Sequence, residues 1–225
     1  MDRLKEIVRK YQKTILLRDE LPGVANVEPY RVYPKADCPV SSQTYRTPYS
    51  LRPHMRSILK KQMENGLISR GHSPWNSPTL LVQKPNGDYR LVIDFRKVNQ
   101  AMHGDSYPLP RIPDLLTNLK GSKIFSAVDL CQGYHQVPLD DSAKEVLAMG
   151  NEHGQFIWHV MPQGTGGAPS HFQRIMDTVF ENVPSSSTIW YLDDVLWHAK
   201  SVDENLGQLE HCFGLLADYN LQMKA

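Results

Sequence analysis

Ile189 to Trp197 reads IWYLDDVLW, two apolar and aromatic runs on either side of Asp193 and Asp194. Thr188–Leu192 and Val195–Ala199 are short and rich in β-branched and aromatic residues, so they read as two strands of a hairpin with the aspartates at its tip. Adjacent carboxylates there are costly, because like charges repel and each needs solvent or a cation. A solvated turn is the plain alternative, yet hairpins this apolar favour Asn-Gly or Asp-Gly, whose glycine accepts positive φ. A divalent cation accounts better for the pair.

A third carboxylate, Asp129, ends the apolar run KIFSAVD (Lys123–Asp129), which also reads as a strand. With Asp193 and Asp194 it makes an all-oxygen donor set suited to Mg²⁺, which binds few carboxylates and keeps positions for water and phosphate oxygens. Two such ions are the means by which in-line phosphoryl transfer is clamped. His153 and His159 lack the Cys or His partners of a zinc site. Cys38, Cys131 and Cys212 are odd in number and far apart, which argues against a disulfide framework.

Outward from the hairpin, Ser170–Val183 carries Phe172, Ile175, Met176, Val179 and Phe180 on one helical stripe, and a last helix over Val202–Tyr219 buries Leu206, Leu209, Phe213 and Leu216. Gln155–Met161 reads as a strand. Thr79–Lys84 and Tyr89–Asp94 are β-rich runs joined by Pro85-Asn86-Gly87-Asp88, a hairpin signature. Helices are expected over Asp2–Leu17, Arg52–Asn65 and near Asp114–Leu119, with an extended, proline-punctuated arm from Pro22 to Pro48. Helices interleaved with antiparallel hairpins give an α+β fold rather than a doubly wound sheet.

The 225 residues are 40% hydrophobic and 22% charged, which excludes a disordered tail, and no apolar run approaches the ~18 residues of a membrane span. The first residues, MDRLKEIVRKYQK, lack the apolar core of a secretion signal, so the expectation is an intracellular protein with no membrane partner. The net charge of +1 hides 20 Lys+Arg against 11 Asp+Glu in residues 1–120, and 5 against 13 in residues 121–225. A basic stretch suits phosphate-bearing ligands and an acidic one suits divalent cations, although solvated surfaces are also unevenly charged by chance.

In order along the chain, LVQKPNGDYRLVIDFRKVN (Leu81–Asn99), FSAVDLCQGYHQVPLD (Phe125–Asp140), VMPQGTGGAPSHFQRIMD (Val160–Asp177) and YLDD (Tyr191–Asp194) resemble the fingers and palm of reverse transcriptases, in particular gypsy-type LTR retrotransposons and related retroviral enzymes. YRTPYSLRPHM, GLISRGHSPWNSPTLLV and SYPLPRIPDLL extend the resemblance upstream, so that it covers about residues 30 to 225. It implies an α+β right-hand polymerase core, with an N-terminal helix and arm in residues 1–48, mainly fingers in 49–120 and mainly palm in 121–225, the two interleaving. It also implies that thumb, connection and RNase H segments follow in family members, and that the chain ends before them.

What the resemblance implies for function is RNA-directed DNA polymerisation within a retrotransposon Pol polyprotein, in a cytoplasmic retroelement particle. Its partners are an RNA or DNA template with primer, deoxynucleoside triphosphates and the remaining Pol segments. Asp129, Asp193 and Asp194 match the metal-binding triad for two Mg²⁺ ions, with Mn²⁺ as substitute. Lys84 and Arg90 match the cations placed on the incoming triphosphate, an ordinary solvated hairpin being the plainer reading of Lys84. Tyr134 matches the steric gate against a ribose 2′-hydroxyl, a role compatible with simple burial in the palm. Gln163 matches a residue contacting the nucleotide and template; most gypsy-type elements carry Phe there, and a Leu-Cys-Asn run where this chain has Thr165-Gly166-Gly167. Asp94, Arg96 and Asn99 read as a structural hydrogen-bonding cluster. The competing readings are a catalytically inactive nucleic-acid-binding remnant and a two-metal nuclease, the latter having no need of the basic hairpin or Tyr134.

Overall fold

The computed structural model describes residues 2–17, 20–36 and 38–224. Its elements, in chain order, are α1 (Asp2–Lys10), β1 (Ile15–Leu16), α2 (Arg52–Glu64), β2 (Ile68–Arg70), β3 (Ser77–Gln83), β4 (Tyr89–Ile93), α3 (Arg96–Ala101), α4 (Ile112–Thr117), β5 (Ile124–Asp129), α5 (Asp141–Val146), β6 (Met149–Asn151), β7 (Gly154–Trp158), α6 (Ala168–Val179), β8 (Thr188–Tyr191), β9 (Asp194–Ala199), α7 (Val202–Asp218) and β10 (Met223–Lys224). The chain divides into two compact units, one from Pro29–Asp105 and Pro138–Ala168, the other from Met1–Glu28, Ser106–Val137 and Pro169–Ala225.

The first unit is built on a sheet ordered β2-β7-β6-β3-β4, antiparallel throughout except for the β6–β3 pair. The expected hairpin is there: β3 and β4 pair from Thr79↔Ile93 to Gln83↔Tyr89. Gly87, at φ +90°, makes the reversal, donating its N–H to the Lys84 carbonyl at 2.9 Å, a conformation that costs a glycine nothing. Met55 and Leu59 of α2 are buried with Trp75, Phe95, Met149, Phe156 and Trp158 in the core.

The second unit carries an antiparallel sheet ordered β5-β9-β8 and a two-stranded parallel sheet of β1 and β10. One face of the larger sheet places Val195 and Trp197 in the interior, with Phe172, Met176 and Phe180 of the α6 segment and Phe213 and Leu216 of α7. Helix α7 opens on a capped N-terminus, in which the Ser201 hydroxyl accepts the Glu204 N–H and the Glu204 carboxylate reaches back to accept the Lys200 N–H.

The α+β class holds, and local departures have tertiary causes. The first helix stops at Lys10 rather than Leu17, because Ile15 and Leu16 pair with Met223 and Lys224, some two hundred residues away. The strand expected through Met161 ends at Trp158; Val160 makes only an isolated bridge to Pro138. Asp194 is not at the hairpin tip but is the first residue of β9, leaving Leu192 and Asp193 as the turn.

Candidate active site

Strand register assembles three of the expected residues. Asp129 ends β5 directly across from Asp194 on β9, and Asp194 is also opposite Tyr191. Asp193 is held by its own carbonyl, which accepts the Leu130 N–H at 2.9 Å. The carboxylates feel one another: burial first, then repulsion from Asp194, raises the Asp129 pKa, with Lys224 opposing. Burial likewise raises that of Asp193, and Asp129 and Asp194 add to it. Both shifts mark groups whose ionised form is not fully compensated by positive charge.

Tyr134 joins this group. It lies in a tight turn over Gly133–Gln136, entered through Gln132 at φ +47°. The fully buried Gln136 fixes the turn, donating to the carbonyls of Cys131 (2.8 Å) and Gln222 (2.7 Å) and accepting the Gln222 N–H at 2.7 Å. The Tyr134 ring meets Phe172 edge-on at 5.4 Å, and its hydroxyl pKa is raised by burial, then by Asp193 and Tyr191. Gly133 has no room for a side chain, since a Cβ would lie 2.9 Å from Phe172 Cζ and 3.3 Å from the Asp193 Cβ.

Leu192 has φ +53°, a conformation that costs a branched residue about 1–2 kcal/mol. Its N–H is taken by the Gln173 side-chain oxygen at 3.0 Å. Gln173 was not singled out by the sequence; the available signal was a polar residue on the buried stripe of α6.

In the other unit, Arg90 pairs with Val82 across the hairpin, and the Lys84 N–H reaches the Asp88 carbonyl at 2.7 Å. Side chains two apart share a face, so Lys84 and Arg90 project from the same side of the hairpin. Both are exposed, and among the described residues neither has a carboxylate within 4.0 Å. Gln163 is exposed on a loop whose backbone is clamped twice. Asn99 donates to the Gly164 carbonyl (3.0 Å) and accepts the Gly166 N–H (2.9 Å). The buried Tyr30 hydroxyl is hydrogen-bonded to Thr165 and the Gly167 backbone. Asn99 therefore does not belong to the cluster expected for it. That cluster is Asp94 with Arg96 and Tyr45, at 2.6–2.8 Å, which holds the Asp94 carboxyl well below the usual range.

The three aspartates lie near one another in the second unit, but among the described residues no three His, Cys, Asp or Glu side chains are gathered into a group that could hold a metal ion. Coupled carboxylates with raised pKa values nevertheless fit a hard cation that takes few protein ligands and completes its shell with water and phosphate.

Residues 82–225 match the family model described as reverse transcriptase (RNA-dependent DNA polymerase). The chain is 33% identical over 226 residues to the retrovirus-related Pol polyprotein from transposon 412 of Drosophila melanogaster, covering 98% of this chain and 18% of that polyprotein. It is 32% identical to the Pol polyprotein from transposon gypsy of the same organism, over 82% of this chain and 18% of that one. The chain thus spans about a fifth of the length of these relatives. Among solved structures, the foamy viral protease-reverse transcriptase in complex with RNA/DNA hybrid superposes with a TM-score of 0.90 at 23% identity, over 99% of this chain and 30% of that one.

Proposed function

Because the chain belongs to the reverse transcriptase (RNA-dependent DNA polymerase) family, we propose that it is the polymerase core of a retrotransposon Pol polyprotein, adding deoxynucleotides to a primer 3′-hydroxyl on an RNA or DNA template. In this reading the unit carrying the β3–β4 hairpin acts as fingers and the unit carrying Asp129, Asp193 and Asp194 acts as palm. The three aspartates would hold two Mg²⁺ ions, with Mn²⁺ as a substitute, and the metal would supply positive charge to the phosphoryl transfer.

The chain's own residues do the rest by position and charge. Arg90 grips triphosphate oxygens through a planar fork of donors, and Lys84 on the same hairpin face adds a movable point charge. Tyr134, packed on Phe172 beside Asp193, fills the volume a ribose 2′-hydroxyl would need. Gln163 presents a polar amide to the nucleotide and template. Template, primer and deoxynucleoside triphosphates are the ligands, and the remaining Pol segments are the protein partners. No helix among the described residues is long and apolar enough to cross a membrane. The proposed place of action is an intracellular retroelement particle.

The observation that carries the reading is the register pairing of Asp129 with Asp194, with Asp193 coupled to both and Tyr134 against it. The test is primer extension on RNA and DNA templates with Mg²⁺ and with Mn²⁺, comparing the chain with Asp129→Asn, Asp193→Asn and Asp194→Asn. Extension that each substitution abolishes supports the proposal. Duplex binding without extension by the unaltered chain, under either metal, would instead indicate the inactive nucleic-acid-binding remnant.

A further inference from the structure

We propose that Asp177 is a positioning residue for the Leu192–Asp193 turn, acting through Gln173; the inference rests on the reading that this turn carries a metal-binding aspartate.

The turn needs an external hold. Leu192 sits at φ +53° with a branched side chain, and such a conformation persists only where the surroundings over-determine it. The hold is the Gln173 side-chain oxygen, which accepts the Leu192 N–H at 3.0 Å. Gln173 is wholly buried, and its amide has two ends of opposite character, so something must choose which end faces the turn. Asp177, one helical turn further along α6, makes that choice. Its Oδ1 accepts the Gln173 Nε2 at 2.9 Å. With the amide reversed, the side-chain oxygen would face a carboxylate oxygen and the NH₂ would face the Leu192 N–H. Both contacts would be repulsive.

Asp177 is itself fixed from two directions. Trp190 Nε1 donates to the same Oδ1 at 2.6 Å, and the Tyr107 hydroxyl donates to Oδ2 at 2.6 Å. Trp190 is on β8, two residues before Leu192, and its ring stacks on Phe180 at 5.2 Å. Tyr107 is braced by the Arg174 guanidinium, 4.7 Å from its ring centre. The carboxylate thus ties α6 to β8 at Trp190 directly and to the turn at Leu192 through Gln173, on either side of Tyr191. Three donors on one acceptor-only group make it a fixed point rather than a surface charge.

The test uses the 225-residue chain and two readouts that need no catalysis. Mn²⁺ affinity is measured by EPR titration for the unaltered chain, Asp193→Asn, Asp177→Ala, Gln173→Met and the double variant Asp177→Ala/Gln173→Met. Amide exchange at Leu192 is measured on the same proteins. Asp177→Ala and Gln173→Met should each weaken Mn²⁺ binding about tenfold, the scale of losing a supporting partner behind a metal ligand. The double variant should be no weaker than either single one, since both break one relay. Leu192 exchange should accelerate at least tenfold while amides in the core of α7 keep their rates, a local signature that general destabilisation would not give. Asp177→Asn should stay within about threefold of the unaltered chain, because its oxygen can still accept from Gln173 and Trp190 and its NH₂ can donate to the Tyr107 hydroxyl. If Asp177→Ala does not fold, Asp177→Ser, with an acceptor too short to reach all three donors, takes its place. Unchanged Leu192 exchange in the folded variant would overturn the inference, as would unchanged Mn²⁺ affinity where Asp193→Asn has lost it. If Asp193→Asn leaves Mn²⁺ binding intact, the metal reading falls instead, and the exchange rates still decide the role of Asp177.

Discussion

Asp129 ends an otherwise apolar strand, and both it and Asp193 have pKa values raised by burial and by their neighbours. Their ionised forms are therefore worse placed in the folded chain than in the unfolded one, a penalty that a bound cation removes. Two outcomes follow for Asp129→Asn and Asp193→Asn. Primer extension should fall by a factor on the order of 100 or more, the scale of removing a main electrostatic contact to a transition state. The melting temperature in EDTA should hold or rise, since a repelling charge is gone. Retained extension, or a large drop in melting temperature, would contradict the assignment. Tyr134→Ala should act on a ratio: opening the space beside Asp193 raises kcat/KM for ribonucleotides relative to deoxyribonucleotides, and an unchanged ratio excludes the gate. Tyr134 came only from the resemblance of its motif to the family's, whereas the aspartates were legible because acids set among apolar strands are anomalous in sequence. Asp177 and Gln173 were not, since a polar residue on a helix stripe shows its partner only once the helix is docked.

At the level of elements, the segments that hold the site gave weaker signals than the site itself. The β3–β4 hairpin, α2 and α7 were readable from turn chemistry, period and caps. Strands β2, β6 and β10, of two or three residues each, carry too few side chains to show a period and exist because a neighbouring strand pairs with them. Asn99 was misplaced for a related reason: its neighbours Asp94 and Arg96 form a local cluster, while its own partners are sixty-five and sixty-seven residues away at Gly164 and Gly166. The Gln163 loop offers a test of this long-range clamp. A Cβ on Gly167 would sit 2.8 Å from the Tyr30 hydroxyl oxygen, and that tyrosine is pinned by backbone bonds to Pro138 and Asp140. Gly167→Ala should therefore shift the loop rather than the ring, costing about 1–3 kcal/mol of stability and raising KM for the nucleotide. Adding Tyr30→Phe removes the clashing oxygen and should recover part of both. If the double variant is no better than Gly167→Ala alone, the clamp is not what places Gln163. Gly133→Ala has a different signature, because its Cβ would press on Phe172 and the Asp193 Cβ: activity should fall further than stability does.

Across the whole molecule, the charge asymmetry between the two ends of the sequence softens once the chain folds. The unit with the β3–β4 hairpin draws on both regions and carries 13 Lys+Arg against 9 Asp+Glu, while the other carries 12 against 15. Stability should depend on pH through two histidines of the acidic unit. Burial lowers the His135 pKa to about 4 and also lowers that of His198, which is 2% exposed with its Nδ1 against the Ser122 hydroxyl. In the unfolded chain both titrate near the ordinary value of about 6.5. Between that value and their folded ones, the unfolded chain binds more protons, so stability is full above pH ~6.5 and is lost as pH falls below it. Asp129 and Asp193 act with the opposite sign: their raised pKa values mean the folded chain gains protons first, so folding is favoured as pH falls through their range. That gain opposes the histidine loss, which sets in around the ordinary imidazole value and so is read over the interval from pH 7.5 to 5.5. In EDTA, the melting temperature should fall by roughly several degrees over that interval. His135→Gln should flatten the slope, and Asp129→Asn, which removes an opposing gain, should not flatten it. A flat profile in the unaltered chain would mean that neither histidine is held neutral by burial, and a slope that His135→Gln leaves intact would assign the effect to His198.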